Sequence, residues 1–128
     1  MDKEIWKNRI GQALTDMADI EFQRRAWMGH GPEISSFVEV VCGVFDDALI
    51  SLYFKQYDDE ISRDAHRLLN VLDNKVSEID TESIRYREPQ QIIDDPRWTV
   101  IRHIAQDLKM ALSLGGDKQN GPIESETK

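Results

Sequence analysis

The sequence predicts an all-α protein: a single-domain antiparallel helical bundle of four main helices over residues 1–114, followed by a disordered tail at 115–128. Three observations carry this reading. Apolar residues recur at steps of three and four in four separate segments. Helix-starting residues (Ser, Asp, Pro) precede those segments, and glycines follow the first and last. A chain of 128 residues that is 40% apolar and 31% charged can bury a core without staples.

The first segment runs from about Lys3 to Trp27. Trp6, Ile10, Ala13, Met17 and Ile20 step by four and three, and Trp27 falls on the same stripe. Gly29-His30-Gly31-Pro32 ends it, because glycine accepts the left-handed cap and proline cannot continue a helix. Ser36-Phe37-Val38-Glu39 is a capping-box sequence, with Glu39 expected to reach back to the Ser36 amide. The following helix, to about Phe54, is apolar over more than half its circumference and is expected at the centre of the bundle. Its β-branched residues offer a competing strand reading for Phe37 to Phe45; the cap and the length favour helix. Gly43 is expected to admit a neighbouring helix.

Tyr57-Asp58-Asp59-Glu60 reads as a loop, and Ser62 can cap a third helix carrying Ala65, Leu68, Leu69, Leu72, Val76 and Ile79. The pattern decays after Asp80, where the connection to 95 has room for a short extra helix around 82–93. Asp95-Pro96 then places an N-cap before a proline at the first helical position. The last helix reads Trp98, Ile101, Ala105, Leu108 and Leu112 inward and is expected to stop at Gly115-Gly116.

Charge is distributed unevenly. Of the net −8, residues 33–60 hold −6, seven acids against Lys55, while the other segments nearly cancel. Such a segment repels phosphate backbones and anionic membranes and attracts a basic partner. The alternative is that these acids only keep the protein soluble. One cysteine, Cys42, lies in an apolar run, is expected to be inert core, and fits a reducing cytoplasm. No secretory signal is expected at the N-terminus. No run approaches the roughly 18 apolar residues of a membrane span.

The chemistry-bearing residues form no catalytic set. His30, His66 and His103 belong to no zinc-binding spacing, and no phosphate-binding glycine loop or nucleophile elbow occurs. Adjacent residues on a helix point about 100° apart, so Asp46 and Asp47 are poorly placed to share one ion. No enzyme, cofactor or metal is expected. A metal-dependent exception would use Asp46, Asp47 and His66 or His103. Arg24-Arg25 beside Trp27, with Lys7 and Arg9 further up the helix, is the only basic cluster, and overall acidity argues against nucleic acid.

Two features look like binding. Asp46 and Asp47 sit mid-helix between apolar residues, so at least one should reach the surface or pair internally with Arg24 or Arg25. Tyr53, Tyr57, Asp58, Asp59 and Glu60 combine aromatics with acids, a composition suited to a basic protein partner. The expected partner-binding residues are therefore Asp46, Asp47, Tyr53, Tyr57, Asp58, Asp59 and Glu60. Glu39 is assigned to its helix cap.

Taken together, Trp6, Phe22-Gln23-x-x-x-Trp27, the glycine turn, Ser35-Ser36-Phe37-x-Glu39, Phe45-Asp46-Asp47 and Asp95-Pro96-Arg97-Trp98 resemble small helical immunity-type proteins of bacterial polymorphic or contact-dependent toxin systems. The resemblance spans most of residues 1–112. It implies a stoichiometric inhibitor that masks a toxin, often a basic nuclease, and that needs no cofactor. The expectation is thus an acidic cytoplasmic binding protein with a protein partner. The competing expectation is a structural or assembly protein forming a homo-oligomeric bundle, and a homodimer is compatible with both.

Overall fold

The computed structural model describes residues 2–80 and 87–117, with side chains as far as Ser113. The predicted all-α fold is the fold observed, with no strand among the described residues. The elements are α1 (Lys3–Ala18), α2 (Ile20–Trp27), α3 (Phe37–Cys42), a π-helical turn (Gly43–Asp47), α4 (Ile50–Gln56), a 3₁₀ turn (Asp58–Glu60), α5 (Arg63–Asp80), α6 (Pro89–Asp94) and α7 (Pro96–Asp117).

The bundle is built around α7. Trp98, Ile101, Ala105 and Leu108 are wholly buried on it, and it packs against both α1 and α5. Lys3 and Lys7, early in α1, share a cavity with Ala111 and Leu112, late in α7. Asp64 and Arg67, early in α5, likewise sit beside Asp107 and Met110. Both pairs are therefore antiparallel. The central position expected for the Phe37–Phe54 helix belongs to α7 instead, because that segment is not one helix.

Two expected continuous helices are broken. Asp19 interrupts the first: at φ −93° and ψ 99° it closes α1 and opens α2, and its carboxylate accepts the Phe22 amide at 3.1 Å. A short acid can offer the backbone this alternative to the helical ladder. The break orphans the last carbonyls of α1. The buried Gln23 satisfies two of them, its Nε2 donating to Asp16 O at 3.0 Å and Met17 O at 2.8 Å.

The second break lies between Phe37 and Gln56. The Ala48 amide donates to Gly43 O at 2.9 Å, an i→i+5 bond that widens one turn, and Leu49 then adopts a left-handed conformation at φ 53° and ψ 52°. The Trp6 indole donates to Ala48 O at 2.7 Å and ties this break to α1. The inserted residue shifts the register. Val44 and Ala48 stay buried and Ile50, off the expected stripe, joins them, whereas Leu49 and Leu52, both inward on a continuous helix, are exposed. Gly43 admits no helix: a Cβ built there meets nothing within 4 Å.

The end signals behave more simply. Gly29 takes φ 74°, and the His30 amide returns to Arg25 O at 2.9 Å, closing α2 in a Schellman-type bond. Ser36 Oγ accepts the Glu39 amide at 3.1 Å, and Ser62 Oγ accepts the Ala65 amide at 3.1 Å. Glu39 makes no return bond to Ser36 among the described residues, so it is an exposed acid and not half of a capping box. Asp95 opens α7 as expected, accepting the Arg97 amide at 2.9 Å.

A short extra helix is present at Pro89–Asp94, where Glu88 and Gln91 form the reciprocal cap. The first part of the expected extra helix, residues 82–86, lies outside the described residues. The expected stop at Gly115-Gly116 is passed, and α7 continues to Asp117. The tail expectation for 118–128 also lies outside the described residues. No described helix is long and apolar enough to cross a membrane.

Candidate partner-binding surface

The π-helical turn settles where the paired aspartates go. Asp46 and Asp47 are both exposed, and neither makes an ion pair with another described residue. The internal salt bridge to Arg24 or Arg25 does not form. Arg24 Nη1 pairs with Glu21 at 2.9 Å, while Arg25 forks onto Glu33 at 2.8 and 3.2 Å. The exposed Leu49 and Leu52 follow directly, at 42% and 49% of full accessibility. A wider turn, a left-handed leucine and two unpaired carboxylates therefore share one stretch of surface.

The second expected feature is only partly at the surface. Asp58, Asp59 and Glu60 form an exposed 3₁₀ turn. Asp58 is held by His66, whose Nε2 lies 3.1 Å from Oδ1, and Glu60 is ion-paired with Lys3. That ion pair raises the Lys3 pKa above its ordinary value. Asp59 makes no ion pair with a described residue. Tyr57 is half-buried, with the Lys3 ammonium 4.9 Å from its ring centre.

Tyr53 corrects the sequence reading. It is 3% exposed, its ring 5.2 Å from Trp6 edge-to-face and 4.9 Å from Tyr57. Its position follows the register shift that exposes Leu52, and burial raises its phenol pKa. It supports Tyr57 from beneath and offers a partner no ring face. Its remaining edge lines a cavity of about 140 Å³ with Lys3, Lys7, Tyr57 and Glu60.

Trp6 joins the two acidic regions. Its indole N–H holds Ala48 beside the π-turn, while its ring packs on Tyr53 and Tyr57 beneath the Asp58–Glu60 turn. A partner broad enough to touch both regions would meet a surface braced by one buried side chain.

No family model, curated protein or solved structure matches the chain. The surface must speak for itself. Among the described residues, no three histidine, cysteine, aspartate or glutamate side chains are grouped to hold a metal ion. His66 meets Asp58 and Phe54, not Asp46 or Asp47, and His103 is exposed on α7. The arrangement lends nothing to the metal-dependent alternative. Cys42 is half-buried, less enclosed than the inert core residue expected.

Three residues, one at this surface and two in the core, have surroundings that the sequence does not lead one to expect. Leu49 carried no glycine or asparagine to mark a left-handed position. Gln23 had a signal: it falls on the apolar stripe between Ile20 and Trp27, where a polar residue must find buried partners. Arg102 adjoins the α7 stripe in the same way and is also buried.

Proposed function

We propose that this chain is a cytoplasmic, non-enzymatic binding protein of immunity type, which neutralises a cognate bacterial toxin by stoichiometric capture of a basic surface. One observation carries most of the weight: Asp46 and Asp47 are exposed, lack counter-ions among the described residues and are followed in the chain by the exposed Leu49 and Leu52. Unpaired acids accelerate encounter with a basic partner, and apolar side chains beside them supply area that water leaves on contact. The likeness of the sequence motifs to immunity-type proteins supports the same reading.

A π-turn and a left-handed leucine each cost local stability, and such strain clusters at binding sites. Here the strain turns Leu49 and Leu52 outward beside the acids, which a regular helix would not do. The direct test is co-expression with a candidate toxin, sought first among the products of the neighbouring genes. Growth rescue, together with a one-to-one complex of the purified proteins, supports the reading. Neither rescue nor binding would sink it.

A further inference from the structure

Between α1 and the π-helical turn lies an open hollow of about 250 Å³. Val40, Ala48 and Gly43 line it from one side; the first two are core residues, and the third has no side chain. Asp16 of α1 and Asp47 of the π-turn contribute its carboxylates. We propose that this hollow receives one long cationic side chain, arginine or lysine, from the basic protein partner, with its methylene stem over Gly43 and its charged head between Asp16 and Asp47.

This inference rests on the functional reading above and narrows it to one subsite. Asp16 is half-buried and bonded only to a neutral side chain, Gln12 Nε2 at 3.2 Å, with no cation paired to it among the described residues. Burial is the main cause that raises its pKa, with Asp19 and Glu33 adding like charge. A carboxylate held in that condition gains most from an arriving cation. Asp47 opposes it from an exposed position. Arg9, the one cation lining the hollow, is exposed and makes no ion pair with a described residue, so both carboxylates remain available. The apolar side favours a stem of several methylenes, and the rim of opposite charge favours a cationic head. An anionic or purely apolar side chain meets only half of that environment.

Gly43 makes the idea directly testable, because the space above its Cα is empty. The probes are blocked tripeptides with a central arginine, lysine or norleucine, titrated into isotope-labelled protein by NMR. The arginine and lysine peptides should shift the amide signals of Asp16, Gly43 and Ala48, and the norleucine peptide should not. Gly43→Leu, which fills the hollow, and Asp16→Asn, which removes its half-buried charge, should each weaken the cationic peptides about tenfold or more. Asp16→Asn decides the matter if Gly43→Leu fails to fold. Unchanged affinity in a folded variant overturns the proposal, as does equal binding of norleucine. Cationic peptides that shift only the Asp58–Glu60 signals remove this subsite while leaving the wider reading standing. That reading fails separately, through absence of rescue and of complex formation with the toxin.

Discussion

The indole N–H of Trp98 donates to Oε1 of Gln23 at 2.9 Å, across 75 residues of sequence and inside the core. Both side chains are fully buried. Because Gln23 Nε2 also satisfies the carbonyls of Asp16 and Met17, one amide fixes the α1–α2 break and docks it onto α7. Replacing it with Leu keeps the volume but leaves an indole N–H and the carbonyls without these bonds. Gln23→Leu should therefore cost about 3 kcal/mol, since each buried group left unbonded costs about 1–3 kcal/mol. Urea unfolding should show a lower midpoint at unchanged slope. An unchanged midpoint would mean that the carbonyls find other partners.

Leu49 yields the opposite sign. A leucine at φ 53° carries a left-handed penalty, and its 42% exposure limits what burial returns. Leu49→Gly should raise stability by about 0.5–1 kcal/mol, after subtracting the entropy of a free glycine. The same variant should bind the partner more weakly. A denaturation midpoint that falls would show that Leu49 is held by contacts worth more than its strain.

These two positions also show what was legible beforehand. The all-α class, the Ser36, Ser62 and Asp95 caps and the apolar stripes of α5 and α7 follow from local chemistry, and the sequence displays them. The breaks at Asp19 and Ala48–Leu49 do not. The first depends on Gln23, close in sequence but buried only because it also bonds Trp98 on α7, and the second on Trp6, 42 residues away, so neither is decided by local chemistry alone. The site was legible in the same proportion. Asp59 is an exposed acid as expected, and both Asp46 and Asp47 are exposed where the sequence required only one of them to reach the surface or pair internally, but the register shift buries Tyr53 and brings out Leu52. The hollow lined by Asp16 and Gly43 arises only when α1 meets the π-turn.

Asp95 ties stability to acid pH. Its carboxylate bonds the Arg97 guanidinium and amide, which hold its pKa below the ordinary 3.8. A depressed folded value means that this stabilisation is complete above the ordinary pKa and fades as pH falls from there towards the folded pKa. Asp95→Ala should cost about 1 kcal/mol near neutral pH, as other N-caps do. The loss should shrink as pH drops through that range, measured by thermal unfolding at a series of pH values. A pH-independent loss would assign the effect to packing alone.

Arg102 is 8% exposed, its Nε has no hydrogen-bond partner, and no described carboxylate pairs with it. Burial lowers its pKa, and the nearby Arg24 lowers it further. Replacing an uncompensated buried cation with an apolar side chain of similar length should stabilise the fold. Arg102→Met should raise stability by about 1 kcal/mol, read as a higher unfolding midpoint. A lower midpoint would show that the bond from Nη2 to Thr99 Oγ1 outweighs the desolvation.

The central claim is that the exposed acids around the π-turn capture a basic toxin. It is tested most directly by titrating a basic toxin domain, taken from a neighbouring gene where one encodes it, into the wild-type chain and into Asp46→Lys/Asp47→Lys, over a range of salt concentrations. Both aspartates are exposed and unpaired among the described residues, so the variant should keep its helicity. The account predicts a one-to-one complex that weakens with salt, and a variant bound about tenfold or more weakly with a shallower salt dependence. Equal affinity and equal salt dependence for the two chains would contradict it.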